Sequence, residues 1–300
     1  MARILTGTCS WTDPRLTSSA WYPRTVASDA AARLRHYASR LPLVEVDATY
    51  YALPSERNSR LWVQRTPDGF VFDVKTFSLL TGHPTPVSAL PRELREAVPR
   101  NGRRTTHVRP GGVPDEVADE LWGRFVGALQ PLHTAGRLGA VQLQFPPWLA
   151  PGRAAEKTVA ACRARCAGLR VAVEFRHPGW FAPERLARTV DLLDDLDATF
   201  TAVDTVQGLP SSLPPVTPVS SAELAVVRFH GRNPAWATGT KEERFRHDYT
   251  ADELTEWLPR VRLLADRARE VHLLFNNCCA DAAARAAERM AGLVGTEEDG

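Results

Sequence analysis

The sequence predicts a single-domain α/β fold, a TIM-type (β/α)8 barrel, with a polar pocket at the carboxyl ends of its strands. Three observations predict it. Eight short strand-like runs recur along 300 residues, and helix-like patterns separate most of them. The polar residues of these runs gather at their late ends. Strands alternating with helices imply a parallel sheet. Eight such units in this length imply a closed barrel rather than an open sheet.

The strands are expected at 3–8, 43–47, 69–75, 138–144, 169–175, 199–204, 224–230 and 271–276. Helices are expected at 28–40, 55–65, 115–135, 153–166, 183–195, 251–268 and 280–293. Ser28 and Ser55 read as N-caps, and Thr250 with Glu253 reads as a capping box. Pro183 suits a first helical turn. Two connections leave the carboxyl ends of strands, so either would cover the pocket. Residues 81–114 hold Pro84, Pro86, Pro91, Pro99, Pro110 and the arginines 92, 95, 100, 103, 104 and 109; residues 207–220 are rich in Pro and Ser. Connections this long are commonly lids or disordered. Residues 1–294 form one domain in this reading, and 295–300 a disordered tail.

Composition narrows the class. At 44% hydrophobic and 24% charged, the chain can bury a large core without staples. A net charge of +2 gives no strong pull toward nucleic acid or membrane. No stretch approaches the roughly 20 apolar residues of a membrane span. The first apolar run meets Gly7 too early for a signal peptide, so a cytoplasmic location is expected. Five cysteines without a secretion signal argue against a disulfide framework. Cys162 and Cys166 read as packing residues, because two thiolates do not make a structural zinc site. Cys278 and Cys279 follow the last strand, where barrel sites form. Lysine occurs only at positions 75, 157 and 241; such a skew toward arginine is expected to reflect genome composition rather than function, but it makes the role of each lysine worth a question.

Strand parity is the most informative pattern. Val44 and Val46, Phe72 and Val74, Val141 and Leu143, Val171 and Val173, Val227 and Phe229, and Leu273 and Phe275 should face the helices. The opposite parity would send Glu45, Asp47, Asp73, Lys75, Gln142, Gln144, Glu174, Arg176, Arg228, His230 and Asn276 into the barrel. Asp204 closes strand 6. Inward charges must be paired or hydrogen-bonded. Either they neutralise one another, Glu174 with Arg176 and Asp73 with Lys75, or they form a site at the carboxyl face.

Several motifs resemble one family in order. They are Gly7-Thr8-Cys9-Ser10-Trp11, then Glu45-Val46-Asp47-Ala48-Thr49-Tyr50-Tyr51 with Leu53-Pro54. Trp62, Pro67 to Phe72 and Lys75 follow, then Gln142-Leu143-Gln144-Phe145-Pro146-Pro147. Glu174-Phe175-Arg176-His177 with Trp180, Arg228-Phe229-His230-Gly231-Arg232 and Phe275-Asn276-Asn277 complete the set. The chain resembles domain-of-unknown-function family seventy-two, the YecE-like proteins, from about residue 4 to 293. The resemblance implies a TIM-type barrel and leaves the reaction open. Ser10 stands where the family usually has glycine, and Cys278-Cys279 where it has histidine or a small polar residue.

Three chemistries fit these residues. The first is a metal-assisted isomerase or phosphodiester hydrolase. Glu174, Asp204 and His230 at consecutive strand ends would hold a divalent metal, with Asn276 a weak fourth ligand. The second is metal-free acid–base chemistry on a sugar- or phosphate-bearing small molecule. Glu45 and Glu174 would be the carboxylate pair, Lys75 a positioned cation or Schiff-base amine, and Arg176 and Arg228 anion clamps. His230 completes the catalytic candidates, and Trp11, Tyr51, Trp180, Gln142, Gln144, Asn276 and Asn277 are binding candidates. The third is a ligand- or nucleic-acid-binding barrel without catalysis, using the arginine-rich connection. No nicotinamide, flavin or ATP signature and no nucleophile elbow appears. The sequence leaves the oligomeric state open, and a monomer fits.

Overall fold

The computed structural model describes residues 2–99, 106–109, 111–277 and 279–295. Arg100, Arg103, Arg104, Pro110, Cys278 and residues 296–300 lie outside the described residues. Eight strands are parallel and close into a barrel in sequential order. They are β1 (Arg3–Thr8), β2 (Leu43–Val46), β3 (Val71–Lys75), β4 (Leu138–Gln144), β5 (Val171–Glu174), β6 (Thr199–Asp204), β7 (Leu224–Phe229) and β8 (Glu270–Phe275). Around them lie α1 (Ala30–Ala38), α2 (Glu56–Arg65), α3 (Asp115–Thr134), α4 (Arg153–Arg165), α5 (Pro183–Asp195), α6 (Ala251–Thr255), α7 (Leu258–Ala265) and α8 (Ala282–Gly295). The apolar parity read from the sequence packs against these helices: Val44, Val46, Phe72, Val74, Val141, Leu143, Val227, Phe229, Leu273 and Phe275 are buried in the large core between strands and helices.

Some boundaries differ from expectation for local reasons. The first helix is capped by Asp29, whose side chain accepts the Ala32 N–H at 2.6 Å, rather than by Ser28. β3 starts at Val71 because Gly69 takes a φ of 81°, and the turn hydrogen-bonds Phe70 N to Pro67 O. The expected helix 251–268 is two helices. Pro259 sits in the first turn of α7 and has no N–H to continue the α6 ladder. α8 runs through Gly295, so the last helix takes in the first residue of the expected tail. The caps at Ser55 and Thr250 and the proline at Pro183 are as expected. The 81–114 connection carries ordered structure. Thr85–Pro86 pairs antiparallel with His107–Val108, and Arg95 donates to the Leu90 and Ser88 carbonyls at 2.8 and 2.7 Å.

The barrel interior is layered. Leu5, Leu43, Val71, Ala172, Leu224 and Val226 form an apolar plug. A charged triad sits within it. His272 Nδ1 lies 2.8 Å from Asp73 Oδ2, and its Nε2 lies 3.0 Å from Glu270 Oε1. Asp73 therefore pairs with His272 and not with Lys75, correcting the sequence expectation. A bulge makes room for it: Phe72 to Val74 on β3 face Leu138 to Val141 on β4. A side chain at Gly139 would meet Asp73 Oδ1 at 2.3 Å.

Burial opposes a charged His272, but Asp73 and Glu270 outweigh it and raise its pKa from 6.5 to about 9. A raised folded-state pKa gives stability that is full below 6.5 and is lost as pH rises through 9. Denaturant midpoints should fall over that window. The double variant Asp73→Asn, His272→Gln should remove most of the slope; an unchanged slope would show that other groups produce it.

Candidate functional site

Arg228 is the centre of the upper barrel. It leaves β7 fully buried, and both ends of its guanidinium meet carboxylates. Nη2 donates to Glu45 Oε1 at 2.6 Å, and Nη1 donates to Glu174 Oε2 and to Gln144 Oε1, the latter at 3.1 Å. The Cys9 sulfur lies 3.7 Å from Nη2. Burial alone would discharge Arg228, but Glu174 and Glu45 hold it protonated. Burial also works against the Glu174 charge. Arg228, His230 and Arg176 reverse that and keep its pKa well below the usual carboxylate range.

Glu174 has no oxygen to spare. Its Oε1 accepts from Arg176 Nη1 at 2.8 Å and from His230 Nε2 at 3.2 Å. The other imidazole nitrogen, Nδ1, accepts from the Asn276 amide at 2.9 Å. These partners fix the neutral tautomer with its proton on Nε2. Burial, opposed but not overcome by Glu174, lowers the His230 pKa to about 3.

Above this network opens a cleft of about 570 Å³, lined by Ser10, Asp13, Asp47, Tyr50, Tyr51, Lys75, Gln144, Arg176, His230, Phe245 and Asn276. Lys75 ends β3 and holds its ammonium 4.6 Å from the centre of the Tyr50 ring. Among the described residues it forms no ion pair with a carboxylate. Burial lowers its pKa, Arg228 adds to that, and Glu45, Glu174 and Asp47 oppose. Burial raises the carboxyls of Glu45 and Asp47. Arg176 lies 5.3 Å from the Trp236 ring, which packs on Phe245. On the rim, Tyr50 contacts Tyr51 and His83, and His83 contacts Trp148.

The structure thus brings Glu45, Lys75, Glu174, His230, Gln144, Arg176, Arg228 and Asn276 together, with Tyr51 at the cleft edge. Other candidates fall elsewhere. Asp204 shares the helix-facing parity of Phe200 and Ala202. Arg232 Nε donates to it at 2.9 Å, Tyr249 Oη at 2.7 Å and Trp257 Nε1 at 3.1 Å. The expected metal set Glu174, Asp204 and His230 is therefore not assembled. Its two carboxylates are committed to arginines on opposite faces of the sheet, so these residues do not fit a divalent ion. Trp11 packs edge-on to Trp62 and Phe72. Trp180 is wholly buried, stacked 4.1 Å from Phe175 with Nε1 bonded to Leu149 O. Gln142 lies below the cleft and bonds Thr201 inside the barrel at 3.2 Å. Asn277 donates to His247 O at 2.8 Å and lines an adjoining cavity of about 40 Å³ that shares Ser10, Asp13, Asp47 and Asn276 with the cleft. Cys162 and Cys166 are buried with thiols pushed up to about 12 by burial, as packing residues should be.

Sequence reasoning did not select Asp47, Trp236 or Phe245 as site residues. Asp47 had a usable signal, since it continues the inward parity of Glu45. Trp236 and Phe245 lie in the irregular segment after β7, where no periodicity marks them.

Comparison with known proteins places this geometry in a family. The family model described as "Protein of unknown function DUF72" matches residues 5–300. UPF0759 protein YunF of Bacillus subtilis (strain 168) is 28% identical over 285 residues, 93% of this chain and 92% of that protein. A DUF72 family protein of Enterococcus faecalis V583 superposes with a TM-score of 0.76 at 23% identity, covering 98% of both chains. One from Thermotoga maritima MSB8 gives 0.74 at 26% identity, covering 98% of this chain and 99% of its own. With both the family model and the barrel matched over almost the whole length, this chain belongs to the DUF72 family.

Proposed function

We propose that the protein is a metal-free enzyme that binds a small anionic, sugar-like molecule in the barrel mouth and acts on it by acid–base chemistry. One observation carries this reading: two cations, Lys75 and Arg176, line an open cleft together with Asp47, whose carboxyl is held protonated to higher pH than usual. The deeper charges are already matched. Arg228 is neutralised by Glu45 and Glu174. A phosphate or carboxylate entering the cleft would meet Lys75 and the N–H groups of Arg176 that Glu174 does not use. Tyr50 and Tyr51 offer faces for a sugar ring. Asp47 and Lys75 supply an acid and a base of closer pKa than free Asp and Lys, since burial moves the two toward each other. His230 orients and hydrogen-bonds; it does not trade protons near neutral pH, because its pKa is about 3.

No helix among the described residues is long and apolar enough to cross a membrane, and a small dissolved ligand suits the cleft. The nucleic-acid alternative has less support. Arg95 of the arginine-rich connection is spent on carbonyls of its own loop.

Calorimetry with inorganic phosphate and with simple sugar phosphates should detect binding. Arg176→Gln and Lys75→Met should each weaken it about tenfold, the loss of one charged hydrogen bond. EDTA should change nothing. Wild-type affinity in both variants, or no binding of any of these anions, would overturn the reading. Stability should separate ligand-facing from framework charges. Arg228→Met strands two buried carboxylates and should cost about 3–5 kcal/mol, while Lys75→Met should stay within about 1 kcal/mol of wild type.

A further inference from the structure

We propose that Lys75 is a nucleophile that forms a Schiff base, so that the substrate is a carbonyl compound, an aldose, ketose or keto acid carrying the anionic group. This deepens the preceding reading and rests on it. The geometry distinguishes Lys75 from every other cation of the inner barrel. Arg228 is locked between Glu45 and Glu174, Arg176 is held by Glu174, and His272 is held by Asp73 and Glu270. Lys75 has only the face of Tyr50 and, among the described residues, no carboxylate ion pair. An ammonium used as structural counter-charge would take one of the nearby carboxylates. An amine that must lose its proton and reach a carbonyl needs the opposite, a site that tolerates its charge without fixing it in place.

The surroundings suit each step. The nitrogen must first be neutral, and burial and the Arg228 charge both favour that form. Asp47, on the wall of the same cleft, takes the proton. The free amine attacks the carbonyl carbon, a C–N bond forms, and the C=O π pair moves to oxygen. A proton passes from nitrogen to that oxygen to give the carbinolamine. Asp47 then returns its proton to the hydroxyl, which leaves as water while the nitrogen lone pair forms C=N. The net change converts a lysine ammonium and a carbonyl into an iminium and water, with charge conserved. The iminium carries the same single positive charge as the ammonium, in the same field of Glu45, Glu174 and Asp47, which opposes the burial cost for either cation. Arg176 would meanwhile hold the anionic group across the cleft.

Residue identity also argues for an amine. Among 37 basic Lys and Arg side chains, only three are lysine, and one of them is the cation lining this cleft beside Tyr50. An arginine there would bind an anion better but could not form an imine.

The same scarcity provides internal controls, since Lys157 is exposed on α4 and the chain has only one further lysine. The whole protein would be incubated separately with dihydroxyacetone phosphate and with pyruvate, reduced with sodium borohydride, digested and mapped by mass spectrometry. A reduced adduct is expected on the Lys75 peptide in about tenfold excess over Lys157. Lys75→Arg should lose it while still binding phosphate. Labelling no greater at Lys75 than at Lys157 with both probes would overturn the proposal. If phosphate still bound in that case, with the expected loss in Arg176→Gln, the acid–base reading would stand without the imine. If phosphate also failed to bind, both would fall.

Discussion

A guanidinium with no solvent at the centre of a barrel constrains everything around it. Arg228 is buried completely, and a charge so placed is tolerable only if fully matched. The match comes from β2 and β5, through Glu45 and Glu174. Three strands that are not neighbours in the sheet are thereby tied across the lumen. Glu174 then needs hydrogen-bond donors on its remaining oxygen, and the Arg176 guanidinium and the neutral His230 ring take that place. His230 in turn requires a donor on its other nitrogen, which Asn276 supplies from the end of β8. From Arg228 through Glu174 and His230 to Asn276, each residue makes a hydrogen bond with the one before it.

The barrel resolves its charges in two tiers. The lower tier, Asp73, His272 and Glu270, is closed by the apolar plug and by a bulge that places Gly139 against the aspartate. The upper tier has its base in the Arg228 network and its top at the open cleft. Lys75 shares its strand and parity with Asp73 but does not pair with it. Because Asp73 is spent on His272, Lys75 is left to the cleft, and the lower tier thus indirectly sets the electrostatics of the upper one.

Period-two alternation made much of the site legible. Glu45, Lys75, Gln144, Glu174, Arg176, Arg228, His230 and Asn276 all share the inward parity, and the structure collects them. The same rule, applied to β6, would have removed Asp204. Phe200 and Ala202 are core residues on the helix side, and Asp204 follows them in step. A place at the end of a strand does not override parity. Pairings were harder. His272 and Asp73 are 199 residues apart in sequence, and nothing local in either announces the other. Tryptophans misled in the usual direction. Trp11 and Trp180 have faces suited to sugars, but rings that large are more often used to fill the layer between strands and helices.

The state of His230 bears on how the chemistry is shared. An imidazole at the mouth of a barrel invites the role of general acid or base. Here one nitrogen is committed to Glu174 and the other to Asn276, and burial holds the ring neutral down to about pH 3. Its proton is pinned at Nε2 by a carboxylate that is itself saturated with arginines. Such a ring is a rigid spacer that keeps Glu174 ionised and Asn276 oriented toward the cleft. In the acid–base reaction proposed above, proton transfer would fall to groups lining the cleft whose pKa values burial draws toward each other, and Asp47 and Lys75 meet both conditions. Glu45 is shifted in the same direction as Asp47 but gives one oxygen to Arg228 and does not line the cleft. Depth divides the residues: the charges below the cleft are matched with one another as framework, while Lys75, at the open cleft, has no carboxylate ion pair among the described residues.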